Sequence, residues 1–468
     1  MGKLIPIACY EALPGDTIQQ SSAALIRFTP QLAPVMHSVS IRIHHWFVPN
    51  RLLWDEWESF ITGGSDGLGD GATYPVNSAT LSYAVGSLGD YLGLPTGVNF
   101  TAGDYTMLPF RAYNLIFNEF YRDEDLVAES IPDAIDLHTI AWEKDYFTRA
   151  RPWAQKGPAV SIPIGGTAPV QRVDTQPFTM EDPGNNAGNL QVNTSNTTVS
   201  FSPQALSAGN LHWGTPNLEA DLTQATSADV RAVRTAFALQ RYQEARAQYG
   251  HRYVEYLRYL GIRPSDARLQ RPEYLGGGKQ TASFSEVLRT GEATGSSGPI
   301  GELKGHGIAA MRTNKFRYFC EEHGYVMSLL SVRPRTLYQD GLHRSWSRRT
   351  KEDYYQRELE RVGQQEIRNQ EIFHNNGALD DQTFGYQDRY ADYRHLNSGV
   401  SGEFRSTLDY WHLGRKFSVQ PVLNSSFTNC DPSKRIFAEQ TAHSMWVMVN
   451  NSIQARRMLG KRTIGRIV

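Results

Sequence analysis

The 468-residue chain has few cysteines, almost no net charge and no long apolar run, and each shortage excludes a class of protein. Its three cysteines, Cys9, Cys320 and Cys430, are odd in number and far apart, so they predict no disulfide framework and indicate assembly in a reducing compartment. A formal net charge of −1 excludes a uniformly basic nucleic-acid coat, so any contact with nucleic acid must be local. No segment is long and apolar enough to span a membrane, and the N-terminus lacks the apolar run of a signal peptide. We therefore expect a soluble protein that is made without export.

Motifs for catalysis are incomplete. The adjacent His44 and His45 suggest a metal site, but neighbouring residues of a strand point to opposite faces, so one packed and one exposed histidine is the favoured interpretation. Cys320 and His323 have ligand-like spacing without the second pair that a structural zinc site needs. Gly305–Ala310 matches a relaxed dinucleotide fingerprint, but no βαβ pattern surrounds it. We predict a protein that is not an enzyme and that has no cofactor and no bound metal.

What the chain has instead is the signature of a loop-rich β protein. Forty glycines and 23 prolines indicate many turns. In residues 35–48 apolar and polar side chains alternate, which predicts a strand with one buried face. Pro49 ends that strand, because proline cannot continue a ladder. Residues 51–61 then have the spacing of a short, mostly aromatic helix that stops at Gly63 and Gly64.

The remaining pattern predicts a few more elements between long loops. Helices are expected from Pro109 to about Val127 and from about Asp229 to Leu260, and residues 350–373 are helix-prone. Strands are expected at Lys315–Glu321 and Tyr325–Val332, forming a hairpin, and at Phe417–Val422 and Met445–Val449. Residues 1–34 read as extended and irregular, and residues 264–311, with Gly276-Gly277-Gly278, read as loop.

Two segments differ in composition from the rest. Residues 158–228 contain one basic residue, Arg172, and five acidic ones among many small polar residues, so we interpret them as an insertion that projects from the main body and has a few strands of its own, such as one at 198–201. The long helix, residues 229–261, belongs to a further insertion. Residues 451–468 form a basic C-terminal tail without an acidic side chain. Such a tail could neutralise phosphates, or its cations could meet acidic groups of a partner subunit.

Three segments carry a resemblance to a known family. They are His44–Gly64, which begins His-His-Trp-Phe-Val-Pro-Asn-Arg-Leu-Leu-Trp, then Gly363–Phe373, and Gly385–Leu413, which contains Gly-Tyr-Gln-Asp-Arg-Tyr-Ala-Asp-Tyr-Arg and Leu-Asp-Tyr-Trp-His-Leu. Together they resemble the major capsid protein of the Microviridae, nearest to the gokushovirus branch of small single-stranded DNA phages. They cover both halves of the chain.

The resemblance implies a fold and a function. The fold would be mainly β: a single eight-stranded antiparallel jelly roll over residues 1–468, with long loop insertions and several helices. The protein would be a structural capsid protein that assembles in the bacterial host cytoplasm into the T=1 icosahedral shell of a virion. Its partners would be copies of itself, a packaged circular single-stranded DNA, a small basic DNA-binding protein, an internal scaffolding protein, a DNA pilot protein and a host surface receptor.

Roles for individual residues follow as hypotheses. Residues 158–228 are the candidate for a protrusion at the three-fold axes that meets the host, an assignment that rests on composition. The candidate DNA contacts are Arg456, Arg457, Lys461, Arg462 and Arg466, and the candidate anchors of core or subunit packing are Trp46, Trp54, Trp57 and Phe60. Two other functions stay open: a monomeric β-rich, lectin-like binding protein, and an enzyme such as a glycosidase, which no paired carboxylate motif supports.

Overall fold

The computed structural model describes residues 1–63, 71–158, 160, 230–249, 270–291 and 300–457, and the backbone of six short strands between Val170 and Ala220. The chain divides into two compact units, one made of Met1–Lys156 and Arg246–Val468 and the other of Gly157–Ala245. We call them the sandwich unit and the inserted unit. The inserted unit is one continuous segment, so it interrupts the sandwich unit once in the sequence.

The secondary structure of the sandwich unit is mainly strand. Its strands are β1 (Leu4–Ala12), β2 (Thr17–Phe28), β3 (Val39–Pro49), β4 (Leu81–Ser82), β5 (Asn99–Phe100), β12 (Glu273–Thr281), β13 (Ser283–Leu288), β14 (Leu303–Arg312), β15 (Phe316–Phe319), β16 (Gly324–Pro334), β17 (Gln364–Arg368), β18 (Thr383–Asp388) and β19 (Met445–Arg456). Its α-helices are α1 (Trp57–Thr62), α2 (Leu88–Leu92), α3 (Leu108–Phe120) and α5 (Ser425–Thr428).

Two antiparallel sheets form the core of this unit. A four-stranded sheet, in the order β1-β16-β3-β12, is called the covered sheet, and a five-stranded sheet of β13, β14, β2, β15 and β19 is called the exposed sheet. Within the exposed sheet, β14 and β15 pair with different parts of the same edge of β2, while β19 pairs along its whole other edge. The mainly β, antiparallel architecture is confirmed. The strand count differs from eight, because β14 and β15 lie end to end in one position.

Apolar side chains from both sheets fill the space between them. Ile26 of β2, Ile41 of β3 and Leu330 of β16 belong to one buried cluster. The opposite face of the covered sheet is buried as well, since Val48 and Leu329 pack with α3 residues such as Phe110. The prediction of a single buried face for β3 is therefore wrong, because Ser40 is buried, Arg42 pairs with Glu143 and His44 bonds Tyr121, so these polar residues do not form a solvent-exposed face.

Several predicted elements differ in pairing or in type. The two strands expected as a hairpin exist as β15 and β16, but β15 pairs with β2 and β16 pairs with β1 and β3, so they belong to different sheets. No strand forms at residues 417–422, and the helix-prone residues 350–373 contain two 3₁₀ turns, Lys351–Asp353 and Asn369–Glu371, and strand β17. At β17, pairing with β18 overrides the local helical propensity. The helix predicted from Pro109 to about Val127 exists as α3 but ends at Phe120, and the strand predicted at Met445–Val449 exists as β19 and continues to Arg456.

Segments that read as irregular contain five strands of the two sheets. Residues 1–34 hold β1 and β2, and residues 264–311 hold β12, β13 and β14. The glycines of β12 are required by close approach, because a Cβ on Gly277 would lie 2.1 Å from the carbonyl oxygen of Ile43 in β3. Gly276 has a φ of +130°, next to a register shift in the same ladder. A glycine run that resembles a loop is therefore a strand pressed against its neighbours.

The inserted unit has its own short strands and most of one helix. The strands are β6 (Val170–Arg172), β7 (Thr179–Glu181), β8 (Ala187–Val192), β9 (Val199–Ser202), β10 (His212–Trp213) and β11 (Leu218–Ala220), paired in the orders β10-β7-β8-β9 and β11-β6. Strand β9 confirms the strand expected near residues 198–201. Helix α4 spans Val230–Tyr249, and the rest of the expected helix, to residue 261, lies outside the described residues.

Gly277→Ala tests the close approach in β12. We expect it to lower the free energy of unfolding by about 1–3 kcal/mol, because the added methyl group meets backbone that cannot move aside. Gly291→Ala is the matched control, since no atom lies within 4 Å of its added Cβ. Urea denaturation of both variants measures the difference, and equal stabilities would show that β12 can shift freely.

Candidate functional site

The chain turns sharply after β3, and we call residues Asn50–Gly63 the corner. Backbone hydrogen bonds of Asn50 hold the corner in place. The Asn50 amide donates to the carbonyl of His323 (2.9 Å), and the Asn50 carbonyl accepts from the amides of Leu53 (2.9 Å) and Trp54 (3.0 Å). Arg51 forms a two-point ion pair with Glu322, at 2.7 and 3.1 Å. The corner is therefore attached to the residues that lead into β16.

The predicted helix of the corner is split in two. A 3₁₀ turn spans Asn50–Leu52 and α1 spans Trp57–Thr62, and Gly63 ends α1 with a φ of 88°, as the sequence predicts. Gly64 lies outside the described residues.

The four predicted anchors have two different environments. The ring of Trp54 lies 5.2 Å from that of Phe60 and 6.3 Å from that of Trp57, while Trp46 stacks on Phe120 at 4.1 Å. Trp46, Trp54 and Trp57 are each at most 9% exposed, whereas Phe60 is 41% exposed. The tryptophans therefore stabilise the subunit itself, and Phe60 is the anchor that a second subunit could reach.

Trp54→Ala should be much more harmful than Phe60→Ala. Removal of a buried tryptophan leaves a cavity and costs about 3–5 kcal/mol, while loss of the half-exposed phenylalanine costs about 1 kcal/mol. Guanidinium denaturation of the two variants measures the free energies of unfolding. Similar losses for both would contradict the division of roles between buried and exposed anchors.

A buried polar network crosses the space between the sheets beside the apolar core. Gln20 of β2 donates to the hydroxyl of Ser328 in β16 (3.0 Å), and the ring of His45 in β3 bonds the same hydroxyl at 2.7 Å. The other ring nitrogen of His45 bonds Thr313 at 3.1 Å. Thr313 also accepts from the backbone amide of Ser22 (2.9 Å). Because the network joins β2, β3 and β16, it sets the register of the two sheets against each other.

The histidine pair points to opposite faces, as the strand geometry predicts, but neither side chain is exposed. His45 is fully buried between the sheets, and His44 bonds the hydroxyl of Tyr121 at 2.7 Å under the helical layer. Burial lowers the pKa of both residues to about 4, helped by the neighbouring His44 for His45 and by Arg42 for His44. Both rings are therefore neutral at physiological pH, and they act in packing and hydrogen bonding.

Acid should destabilise the protein through His45. The unfolded chain binds a proton near the ordinary pKa of 6.5 and the folded chain near about 4, so stability is fully present above pH 6.5 and is lost as the pH falls toward 4. Between pH 6.5 and 4, the free energy of unfolding should therefore fall by about 2–3 kcal/mol less in His45→Asn than in the parent protein. The measurement is the free energy of unfolding between pH 6.5 and 4. His306→Asn, at an exposed position, is the control, and an unchanged slope in His45→Asn would contradict the assignment.

The described end of the chain is a strand rather than a free tail. Strand β19 includes residues 451–456, the first six residues of the predicted basic tail. Arg456 is exposed on this strand, opposite Thr17. Arg457 pairs with Asp16 at 3.1 Å and donates to the carbonyl of Glu11 (2.7 Å). Lys461, Arg462 and Arg466 lie outside the described residues.

The cysteines have the properties of core residues. All three thiols are free, and burial raises the pKa of each to about 12. Within the described ranges, no three His, Cys, Asp or Glu side chains are arranged so that they could hold a metal ion. In the same part of the chain, no helix combines the length and apolar character needed to cross a membrane.

Two of the resemblance segments meet in space. Strand β17 lies in Gly363–Phe373, strand β18 overlaps the start of Gly385–Leu413, and the two pair in an antiparallel ladder. Beside this ladder are two buried ion pairs, Arg344 with Glu371 (3.0 Å) and Arg348 with Asp392. Burial raises the pKa of Glu371 although Arg344 opposes the change. The motif residues therefore support a loop-rich substructure next to the sandwich.

A charged cluster that the sequence did not reveal lies just before the inserted unit. Asp123 is buried and pairs with Lys144 and, at 3.6 Å, with Arg151, while Asp125 pairs with Arg151 (3.0 Å) and Lys156 (2.7 Å). Burial opposes ionisation of Asp123, but Lys144 and Arg151 outweigh it and lower its pKa. Nothing in the local sequence connects these residues, since the cluster joins segments on both sides of a long loop.

Comparison with known proteins decides the family. The family model described as "Capsid protein (F protein)" matches residues 1–465. The chain belongs to this family. It is 38% identical over 462 residues to the capsid protein VP1 of Bdellovibrio phage phiMH2K, covering 91% of this chain and 84% of the relative. It is 35% identical over 519 residues to capsid protein VP1 of Chlamydia phage 1, covering 91% and 86%, and 28% identical over 475 residues to that of Spiroplasma virus 4, covering 92% and 85%.

Membership of the family confirms the expected resemblance and gives the chain a structural role in a phage capsid. A capsid protein is part of the virion and assembles with its own copies into a shell. The monomeric lectin-like alternative is therefore wrong. A structural family also favours a packing role for the corner over a catalytic one, in keeping with the buried tryptophans described above.

Proposed function

We propose that copies of this chain form a closed T=1 icosahedral shell around a circular single-stranded DNA genome, in the cytoplasm of a bacterial host. The observation that carries the proposal is the match of one capsid family over residues 1–465, which includes both units. The sandwich unit supports it, because two sheets and a helical layer make a rigid block that can repeat by symmetry. Phe60 and Ile61 are exposed apolar residues at the corner, 41% and 48% exposed, and they would contribute to a contact between subunits.

The inserted unit is proposed to project from the shell at the three-fold axes and to meet the host surface receptor. It is one continuous segment with strand pairing of its own, and residues 158–228 within it are poor in basic side chains. The charged cluster of Asp123 and Asp125 holds Lys156, the last residue before this unit, in a fixed position. The cluster therefore orders the chain immediately before the inserted unit begins.

The shell interior is proposed to hold the genome, with the basic C-terminal residues Arg456, Arg457, Lys461, Arg462 and Arg466 among its contacts. The exposed position of Arg456 supports this role. Arg457 would contribute less, since Asp16 already neutralises part of its charge. A small basic DNA-binding protein, an internal scaffolding protein and a DNA pilot protein are the further partners that a packaged genome of this kind would need.

Replacing Gly157–Ala245 with a flexible Gly/Ser linker tests the proposed architecture. We expect the full chain and the variant to form shells of equal diameter, with surface projections present only on the full chain. Negative-stain electron microscopy measures both features. A matched unfolding midpoint shows that the sandwich unit is intact in the variant. Single subunits from the full chain would contradict the shell, and unchanged projections on the variant would contradict the role of the inserted unit.

A further inference from the structure

The outward face of the exposed sheet has an unusual composition, and we call it the basic face. Its cations are Arg27 on β2, Lys304 and Arg312 on β14, Arg317 on β15 and Arg456 on β19. They share this face because directly opposed residues of antiparallel strands point the same way. The register places Arg27 opposite Ile308 and Trp446, Ala23 opposite Arg312, Gln19 opposite Arg317 and Thr17 opposite Arg456.

Among the described residues, Lys304 is the only one of these cations that has a carboxylate partner. Across the described strands, none of the outward positions in these registers is Asp or Glu. Lys304 pairs with Glu302 at 2.9 Å, but Arg27, Arg312, Arg317 and Arg456 are exposed and have no ion-pair partner among the described residues. In a chain with a net charge of −1, such a concentration of one sign is a local feature that favours a polyanion.

The cations follow a line. Along β2 they stand beside positions 27, 23, 19 and 17, which span ten residue steps or about 33 Å of strand. The three intervals, of four, four and two residues, separate neighbouring charges by at most about 13 Å along the direction of β2. A row of this length and spacing fits an extended single strand with a repeating phosphate, rather than a compact anion.

Exposed apolar and aromatic groups lie between the charges. Trp446 is 53% exposed and lies beside Arg27, Met448 is 72% exposed opposite Leu25, and Phe319 is 56% exposed opposite Thr17. Aromatic faces beside cations are the combination that binds single-stranded nucleic acid, because bases stack while phosphates are neutralised. Arginine, aromatic residues and methionine are also enriched in protein interfaces, so the row of charges without opposite partners, and not this composition, is what favours a nucleic acid.

We propose that single-stranded DNA lies along the basic face, following β2 from Arg27 toward Arg456. This inference rests on the proposed function, since it places the genome against the sandwich unit. The main DNA contact would then be the exposed sheet and not the C-terminal tail. Arg456 belongs to both. Trp446 and Phe319 would stack on bases, and the four unpaired arginines would bind phosphates.

The first test is binding of a fluorescein-labelled oligo(dT) of about 15 nucleotides to the full chain, followed by anisotropy. The triple variant R27Q/R312Q/R456Q should bind about tenfold or more weakly, and its slope of log affinity against log salt should fall by about 2. The control R349Q/R357Q/R361Q removes the same charge from three exposed arginines outside the sheet and should bind as the parent does. R27K/R312K/R456K, which keeps the charge, should restore most of the affinity.

A second measurement needs no change to an arginine. Tryptophan fluorescence of the parent chain should fall when oligo(dT) is added, and most of that change should vanish in Trp446→Phe. Quenching that is equal in the parent and in Trp446→Phe would overturn the placement of the strand on this face.

Other outcomes separate the two proposals. Equal losses of affinity in the two glutamine triples would overturn the basic face as the binding surface. A change in oligomeric state of R27Q/R312Q/R456Q without a change in oligo(dT) binding would assign the face to a protein contact instead. Both results leave the shell standing if the parent chain still forms shells by negative-stain microscopy. Failure of the parent to form shells, with oligo(dT) bound as expected, would overturn the proposed shell alone.

Discussion

The burial of β3 on both faces is the constraint on which the sandwich unit depends. One side of the strand contributes Ile41 and Ile43 to the core between the sheets, and the other contributes Trp46 and Val48 to the core under the helices. A strand in this position has little solvent contact for its polar groups, so a buried group is stabilised when it finds a partner inside the protein. His45 does so through two hydroxyls, which is why a histidine can occupy the centre of the molecule.

Local signals in the sequence were enough for elements that carry them in one stretch. The alternation before Pro49, the stop at Gly63 and the apolar periodicity of α3 predicted those elements well. The glycine run of β12 misled, because its cause is the backbone of Ile43, more than two hundred residues away. The hairpin of β15 and β16 failed for the same reason: only the full set of pairings shows that the chain changes sheets there.

The candidate surfaces were predictable to different degrees. Aromatic composition identified the corner, but only packing separates the buried Trp54 from the exposed Phe60. A run of basic residues drew attention to Arg456, whereas Arg27, Arg312 and Arg317 are isolated in the sequence. These three share a face only because β14 and β15 both pair with β2. Charge that is brought together by strand pairing leaves no trace in a linear reading.

The three thiols, two buried and one half-buried, have a practical consequence for work on the assembled particle. Because burial keeps the pKa of Cys9, Cys320 and Cys430 near 12, the thiolate that reacts with maleimides is scarce in the native fold. The natural chain is therefore close to a thiol-free background for surface chemistry. A single cysteine engineered at an exposed position could be labelled or cross-linked selectively, without first replacing any native residue.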